Sequence, residues 1–143
     1  MAGPVHRRKL DPGQATTALV LDSDGLAKAA AGDPWAVAWV ARARELRLPL
    51  VVNAVTLTET IRGGRRDVVV HLLIRNAHVD HVDAEFAADA GRLLGKTKRS
   101  DTIDALVATT AIRLKQPVVI LTSDPNELTA LTEDHPWVAV VGV

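Results

Sequence analysis

The chain has 143 residues, of which 17 are basic and 17 acidic, so its formal net charge is zero. This length suits one domain, and a hydrophobic share of 48% indicates a folded globular chain rather than a disordered one. Zero net charge excludes a general basic field for binding nucleic acid, so any such site must be local. The chain has no cysteine, which excludes disulfides and thiolate metal sites and agrees with a reducing cytoplasm.

The N-terminal residues 1–16 contain Pro, Gly and basic residues but no apolar segment ahead of a cleavage site. They therefore do not resemble a signal peptide, and we expect a flexible tail followed by one domain over residues 17–143. No run of 18 apolar residues is present, so the sequence predicts a cytoplasmic protein without a membrane span.

Short apolar segments alternate along the chain with longer segments of helical periodicity. The apolar segments are rich in β-branched residues, which predicts strands of a parallel sheet covered on both faces. The first long helix opens with Pro34 after a potential Asp33 cap. The predicted strands are 17–22, 49–55, 117–123 and 137–143, with a short edge strand and turn at 78–83, and the predicted helices are 34–47, 65–75, 83–96 and 100–115. This alternation predicts an α/β fold with a single doubly wound, mainly parallel sheet flanked by helices.

Acidic residues occur where the predicted strands end or the helices begin. Asp22 ends the first strand, Glu59 follows the second, and Asp124 follows the strand at 117–123. Asp101 and Asp104 lie in the first turn of the last long helix, three residues apart and therefore on one face. Because functional groups of such sheets collect outside the carboxyl ends of the strands, we expect these acids to meet at one edge.

Clustered carboxylates repel each other unless a cation cancels their charge. Hard oxygen ligands suit Mg²⁺ or Mn²⁺, and such an ion can generate a hydroxide and stabilise a phosphodiester under attack. The arrangement therefore predicts a metal-dependent phosphodiesterase site. Burial without a partner is costly for Asp22 and Asp104, which favours a functional role there, whereas Asp101 fits a helix cap equally well. Asp24 and Glu127 fit first-turn acids that the helix dipole favours.

With these residues in order, the chain resembles the PIN-domain ribonucleases, and most closely the VapC-type toxins of bacterial toxin–antitoxin pairs, over residues 18–143. Four motifs carry the resemblance: "VLDS" with Asp22, "TLTET" with Glu59, "DALVA" with Asp104 and "LTSD" with Asp124. The resemblance implies a PIN-like nuclease domain, a Mg²⁺ or Mn²⁺ site held by these four acids, and cleavage of single-stranded RNA.

Other side chains are expected to assist the four acids. We expect Asp101 to be an auxiliary ligand and Asp24, which stands where the family often has Ser, to be an accessory acid. The hydroxyl groups of Thr122 and Ser123 are expected to orient Asp124 or the attacking water. Basic residues near the acids could position RNA phosphates, with ordinary solvated loops as the alternative interpretation. These basic residues are Arg62, Arg65, Arg66, Lys98 and Arg99.

The same resemblance implies a small antitoxin partner whose helical tail lies in a groove built from early helices. Trp35 and Trp39 lie four residues apart on one face of a predicted helix. Such a stripe is typical of core packing, but Trp is also enriched where proteins contact partners. We therefore expect a homodimer that binds RNA and an antitoxin, and we expect no contact with a membrane.

Two alternative functions remain open. The segment "DSDG" at 22–25 is similar to the start of haloacid-dehalogenase-type phosphatases, in which the first Asp is the nucleophile and the second the acid. Leu26 departs from that pattern, which also leaves Glu59 and Asp104 without a role. The other alternative is a catalytically inactive PIN-like binding protein, against which the presence of all four acids argues.

Overall fold

A computed structural model of the chain describes residues 5–6 and 16–143. Within these residues, six strands form one sheet: β1 Val5–His6, β2 Ala18–Leu21, β3 Leu50–Asn53, β4 His78–Asp80, β5 Val118–Thr122 and β6 Val138–Gly142. Their order across the sheet is β1-β6-β5-β2-β3-β4. Strands β2 to β6 pair in parallel, and β1 adds an antiparallel edge. The predicted α/β fold with a mainly parallel sheet is confirmed.

Most of the predicted N-terminal tail over residues 1–16 lies outside the described residues. Val5 and His6 within it form β1, where they stand opposite Val141 and Val140 of β6. At this point the chain extends the sheet by two residues, which the interpretation as a loose tail did not anticipate. The division into a tail and a domain at residue 17 stays a prediction.

Seven α-helices accompany the strands in the described part of the chain. They are α1 Ser23–Ala30, α2 Pro34–Glu45, α3 Leu57–Thr60, α4 Asp67–Arg75, α5 Ala84–Thr97, α6 Thr102–Arg113 and α7 Pro125–Leu131, with a 3-10 turn at Ala54–Thr56. The helices predicted at 34–47, 65–75, 83–96 and 100–115 correspond to α2, α4, α5 and α6. Among the described helices, none is both long and apolar enough to cross a membrane.

The central strands are buried on both faces. Every residue of β2 and β5 is buried, since successive side chains of a strand point to opposite faces and helices cover each face. On one face Leu19 and Leu21 pack with residues of α1, α2 and α4. On the other face Val20 and Ile120 pack with residues of α6 and α7. The strand ends that border the site are therefore anchored in two hydrophobic clusters.

The turn from β2 into α1 is built on one carboxylate and one glycine. Oδ1 of Asp22 accepts a hydrogen bond from the N–H of Gly25 at 2.7 Å, so this side chain caps α1. A Cβ atom at Gly25 would lie 2.5 Å from the carbonyl oxygen of Leu121 in β5. The absence of a side chain at Gly25 thus lets the start of α1 approach the end of β5.

We expect Gly25→Ala to lower the free energy of unfolding by about 1–3 kcal/mol, because the added methyl group must displace backbone atoms of β5. Gly91→Ala is the matched control, because a Cβ at Gly91 in α5 would have no neighbour within 4 Å. The control should gain up to about 1 kcal/mol from its higher helix propensity. Urea unfolding followed by circular dichroism measures both variants, and equal stability would contradict the packing constraint.

Candidate active site

An acidic cleft of about 330 Å³ opens at the edge of the sheet where β2, β3 and β5 end. The chain proceeds from β2 to β3 and β4 on one side and then places β5 and β6 on the other side. The cleft therefore lies where the strand order reverses, which is the usual position of sites in such sheets. Six carboxylate residues line it: Asp22, Asp24, Glu59, Asp101, Asp104 and Asp124. The four principal acids and both assisting acids of the sequence prediction thus meet in one space.

Thr122, the last residue of β5, connects two of these acids. Its Oγ1 accepts a hydrogen bond from the N–H of Asp124 at 2.9 Å. The same side chain is hydrogen-bonded to the carboxyl group of Asp22. Thr122 is fully buried, so its hydroxyl group is held by packing and sets the spacing between Asp22 and Asp124.

Two serine residues hold two other acids at the rim. Ser23 Oγ donates a hydrogen bond to Oε1 of Glu59 at 2.7 Å, which ties α3 to the start of α1. Ser123, expected beside Asp124, donates its hydroxyl hydrogen bond to Asp24 instead. The contact between Ser23 and Glu59 was not predicted, although the hydroxyl residue directly after the first acid in "VLDS" was a signal for it.

Asp101 and Asp104 satisfy both interpretations of their positions. Oδ1 of Asp101 accepts a hydrogen bond from the N–H of Asp104 at 2.9 Å, so Asp101 is the N-cap of α6. Both side chains also line the cleft. Capping and membership of the acidic group are therefore compatible for Asp101.

Burial perturbs the titration of Asp22, which is only 6% exposed. Desolvation raises the pKa of Asp22 to about 6, although hydrogen bonds from Thr122 and Gly25 act in the opposite direction. The negative charges of Asp24 and Glu59 raise this pKa further. Such an acid keeps its proton more readily than an exposed one.

Asp104 is perturbed more strongly, for related reasons. Desolvation is the largest cause and raises the pKa of Asp104 to about 7. The charges of Asp101, Asp22, Asp124 and Glu127 follow in that order. The group therefore carries a surplus of negative charge that protons partly neutralise near neutral pH.

The chemistry of the donor set fits Mg²⁺ or Mn²⁺, because it consists of hard carboxylate oxygens with surplus negative charge. No group of three or more Asp, Glu or His side chains within residues 16–143 is preassembled as a metal-binding set. The hydrogen bonds from the two serines hold Glu59 and Asp24 in their present orientations. Metal ligation therefore requires side chains such as that of Glu59 to rotate, whereas the negative charge that would attract a cation is already present.

Among the described residues that line the cleft, Arg62 is the one with a positive charge. The other basic residues of the sequence prediction are exposed and lie outside this lining: Arg65, Arg66, Lys98 and Arg99. Arg99 Nη1 instead donates to Oε2 of Glu127 at 3.3 Å. Since the charge of Glu127 reaches Asp104, this ion pair stands close to the acidic group.

The chain belongs to the PIN domain family, because the model of that family matches residues 19–131. This match includes all six acids of the cleft and extends through the last predicted motif. Comparison with curated protein sequences gives no match.

Three solved structures share the fold. VapBC2 from Rickettsia felis, bound to a DNA fragment from its promoter, has 12% identity and a TM-score of 0.66 over 88% of this chain and 98% of the other. FitAcB from Neisseria gonorrhoeae has 18% identity and a TM-score of 0.60 over 87% and 96%. VapBC-1 from nontypeable Haemophilus influenzae has 18% identity and a TM-score of 0.58 over 81% and 93%. The shared fold confirms the predicted resemblance to VapC-type PIN domains.

The raised pKa of Asp104 predicts how the metal-free protein responds to pH. A folded-state pKa above the ordinary value means that the folded protein binds more protons between about pH 4 and pH 7, so stability falls as pH rises through this window. We expect Asp104→Asn to flatten this decline. At about pH 7.5 it should also stabilise the metal-free protein by about 1–2 kcal/mol, a range reduced for the solvent that screens this half-buried group.

Urea unfolding in EDTA at several pH values measures this effect. Asp89→Asn is the control, because Asp89 forms an exposed ion pair with Arg92 and does not line the cleft. That variant should keep the pH dependence of the wild type. Loss of stability in Asp104→Asn at every pH would show that Asp104 is a structural residue.

Proposed function

We propose that this protein is a Mg²⁺- or Mn²⁺-dependent endoribonuclease that cleaves single-stranded RNA and is the toxin of a toxin–antitoxin pair. The observation that carries the proposal is the convergence of six carboxylates in one cleft at the strand-order reversal of a PIN domain. Negative charge gathered in a partly buried cleft destabilises the folded protein. A divalent cation would neutralise this charge and would serve in the hydrolysis of a phosphodiester.

The principal ligands in this proposal are Asp22, Glu59, Asp104 and Asp124, with Asp101 as an auxiliary. A divalent ion held by these carboxylates would activate water for attack and would stabilise the negative charge of the phosphodiester. The carboxyl groups with raised pKa values would give up their protons on loading. Thr122 would keep two of the ligands in register, since its side chain is hydrogen-bonded to the carboxyl group of Asp22 and accepts from the backbone N–H of Asp124.

The partnership with an antitoxin is supported by the fold that the chain shares with VapBC and FitAcB structures. We propose α2 as the contact surface for this partner. Trp35 and Val37 are more than 40% exposed there, while Trp39 packs against the hydrophobic core.

The proposed homodimer would use a different surface, on α4, where Val68, Leu72 and their neighbour Val69 are exposed. Analytical ultracentrifugation measures this association directly, and a monomer at all concentrations would contradict it.

The alternative phosphatase function has less support. It assigns work to Asp22 and Asp24 alone, whereas Glu59 and Asp104 line the same cleft. The PIN family model also extends across all these residues. An inactive binding protein is the other alternative, and the cleft that keeps every predicted acid argues against it.

We expect the purified protein to cleave a fluorescent single-stranded RNA with Mg²⁺ or Mn²⁺ and to stop when EDTA is added. Asp22→Asn should lower the cleavage rate by about 100-fold or more, because it removes a principal carboxylate ligand of the divalent ion. Asp24→Asn should cost at most about 10-fold, because Ser123 and water can fill its assisting role. Cleavage rates of the three proteins under identical metal concentrations measure this inequality.

A chromogenic phosphomonoester is the second substrate of this experiment. Turnover of the monoester that depends on Asp22 and Asp24 but not on Glu59 would establish the phosphatase. RNA binding without cleavage in any divalent metal would establish the inactive binding protein. RNA cleavage of equal rate in EDTA would rule out the metal mechanism.

A further inference from the structure

The loop between α3 and α4 is folded around a carboxylate that lies outside the acidic cleft. Asp67, the first residue of α4, is only 9% exposed. The backbone N–H of Arg62 donates to its Oδ1 at 3.1 Å and to its Oδ2 at 3.3 Å. The N–H of Gly63 donates to Oδ2 at 2.6 Å. These bonds, led by the one from Arg62, lower the pKa of Asp67, so the group is ionised at neutral pH.

The loop has the geometry of an anion-binding turn. Successive backbone N–H groups that point at one anion form a concave site for negative charge. Gly63 has a φ of +84°, a left-handed conformation that glycine adopts without steric cost. In this chain the concave site is filled by the protein's own Asp67, which therefore fixes the path of the loop.

The residue held in this way reaches the acidic cleft with its side chain. Arg62 lines the cleft, and its Nη1 donates to the carbonyl oxygens of Thr58 at 2.7 Å and of Ile61 at 2.9 Å. These carbonyls belong to the end of α3, the same short helix that carries Glu59. An arginine has five N–H donors, so two bonds from Nη1 leave three donors on Nε and Nη2. That edge of the guanidinium matches the oxygens of a phosphate.

We propose that Asp67 is a positioning residue that holds Arg62 ready at the cleft to bind a phosphate of the substrate strand. The inference rests on the proposed RNA-cleaving function. An arginine on a free glycine-rich loop loses conformational entropy each time it binds, and this loss weakens binding. The hydrogen bonds from Arg62 and Gly63 to Asp67 restrict the loop before the substrate arrives. Asp67 thereby acts on substrate binding through Arg62, without touching the substrate.

A double-mutant cycle with Arg62→Ala and Asp67→Asn tests this coupling by steady-state cleavage of a single-stranded RNA in Mn²⁺. Arg62→Ala should raise KM about 10-fold, and Asp67→Asn about 3- to 10-fold, each with kcat changed less than about 2-fold. The double variant should behave like Arg62→Ala alone, because Asp67 then has nothing to position. The slope of log KM against log salt should fall by about 0.7 in Arg62→Ala, as expected for one lost phosphate contact on a single strand, and it should stay nearly unchanged in Asp67→Asn, in which Arg62 still contacts the phosphate once the strand is bound.

Asp33→Asn is the matched control for effects on folding. Oδ1 of Asp33 likewise accepts hydrogen bonds from two successive backbone N–H groups, those of Trp35 at 3.1 Å and Ala36 at 3.0 Å, and it does not line the cleft. This variant should lower the melting temperature without changing KM or its salt slope. Gly63→Ala gives a second route to the same loop, because it strains the positive φ while leaving Asp67 intact. Gly63→Ala should raise KM about 3- to 10-fold, as expected for Asp67→Asn. It therefore tests the inference even if Asp67→Asn fails to fold.

The outcomes separate this inference from the proposed function. If the wild type cleaves RNA but Asp67→Asn and Gly63→Ala keep its KM, only the inference is overturned. Equal effects of Asp67→Asn with Arg62 present and absent would also overturn it, because the two residues would then act independently. If the wild type neither binds nor cleaves single-stranded RNA in any divalent metal, the proposed function and the inference fall together.

Discussion

The site depends on the hydrogen bonds made by the buried carboxyl group of Asp22. This residue directly follows β2, caps α1 through the N–H of Gly25, and is hydrogen-bonded to Thr122 of β5. Three elements therefore meet on one side chain that is almost completely removed from solvent. Desolvation raises the pKa of this group to about 6, although the hydrogen bonds from Thr122 and Gly25 act in the opposite direction.

The fold brings further carboxyl groups close to Asp22, so that their negative charges repel one another. Parallel strands bring their carboxyl ends to one edge, and the reversal of strand order beside β2 leaves an opening there. Acids that follow β2 and β5 converge on that opening with acids from α1, α3 and the start of α6. Ser23 and Ser123 hold two of them by hydrogen bonds, and α6 uses Asp101 as its cap. At Asp104, desolvation and then repulsion from the neighbouring acids raise the pKa to about 7. A divalent cation would relieve this repulsion, which is why the proposed chemistry suits the folded chain.

Much of this architecture could be predicted from local patterns. The strands at 18–21 and 118–122 are continuously apolar because helices cover both of their faces, and such runs are visible in the sequence. Acids directly after those runs must lie at the carboxyl edge, so the convergence of Asp22 and Asp124 followed from topology alone. The edge strand formed by Val5 and His6 could not be predicted in this way, because two residues become a strand only through pairing with distant β6.

Side-chain partners were harder to predict than positions. Ser123 was expected beside Asp124, but the turn after β5 directs its hydroxyl to Asp24 on another element. The sequence also could not distinguish Arg62 from Arg65 and its neighbours as the basic residue of the cleft. That choice depends on the course of a glycine-containing loop, which hydrogen bonds to a carboxylate determine. Contacts of this kind arise from tertiary geometry and have no periodic signature.

We propose that one divalent cation relieves the repulsion among the carboxyl groups of this cleft. Calorimetric titration with Mn²⁺ at about pH 6.5, in buffers of different ionisation enthalpy, counts the protons released on binding. With pKa values of about 6 and about 7 for Asp22 and Asp104, the account predicts release of about one proton per bound ion from the wild type. Asp104→Asn should release clearly fewer. Binding of Mn²⁺ without proton release, or no binding to the wild type, would contradict the account.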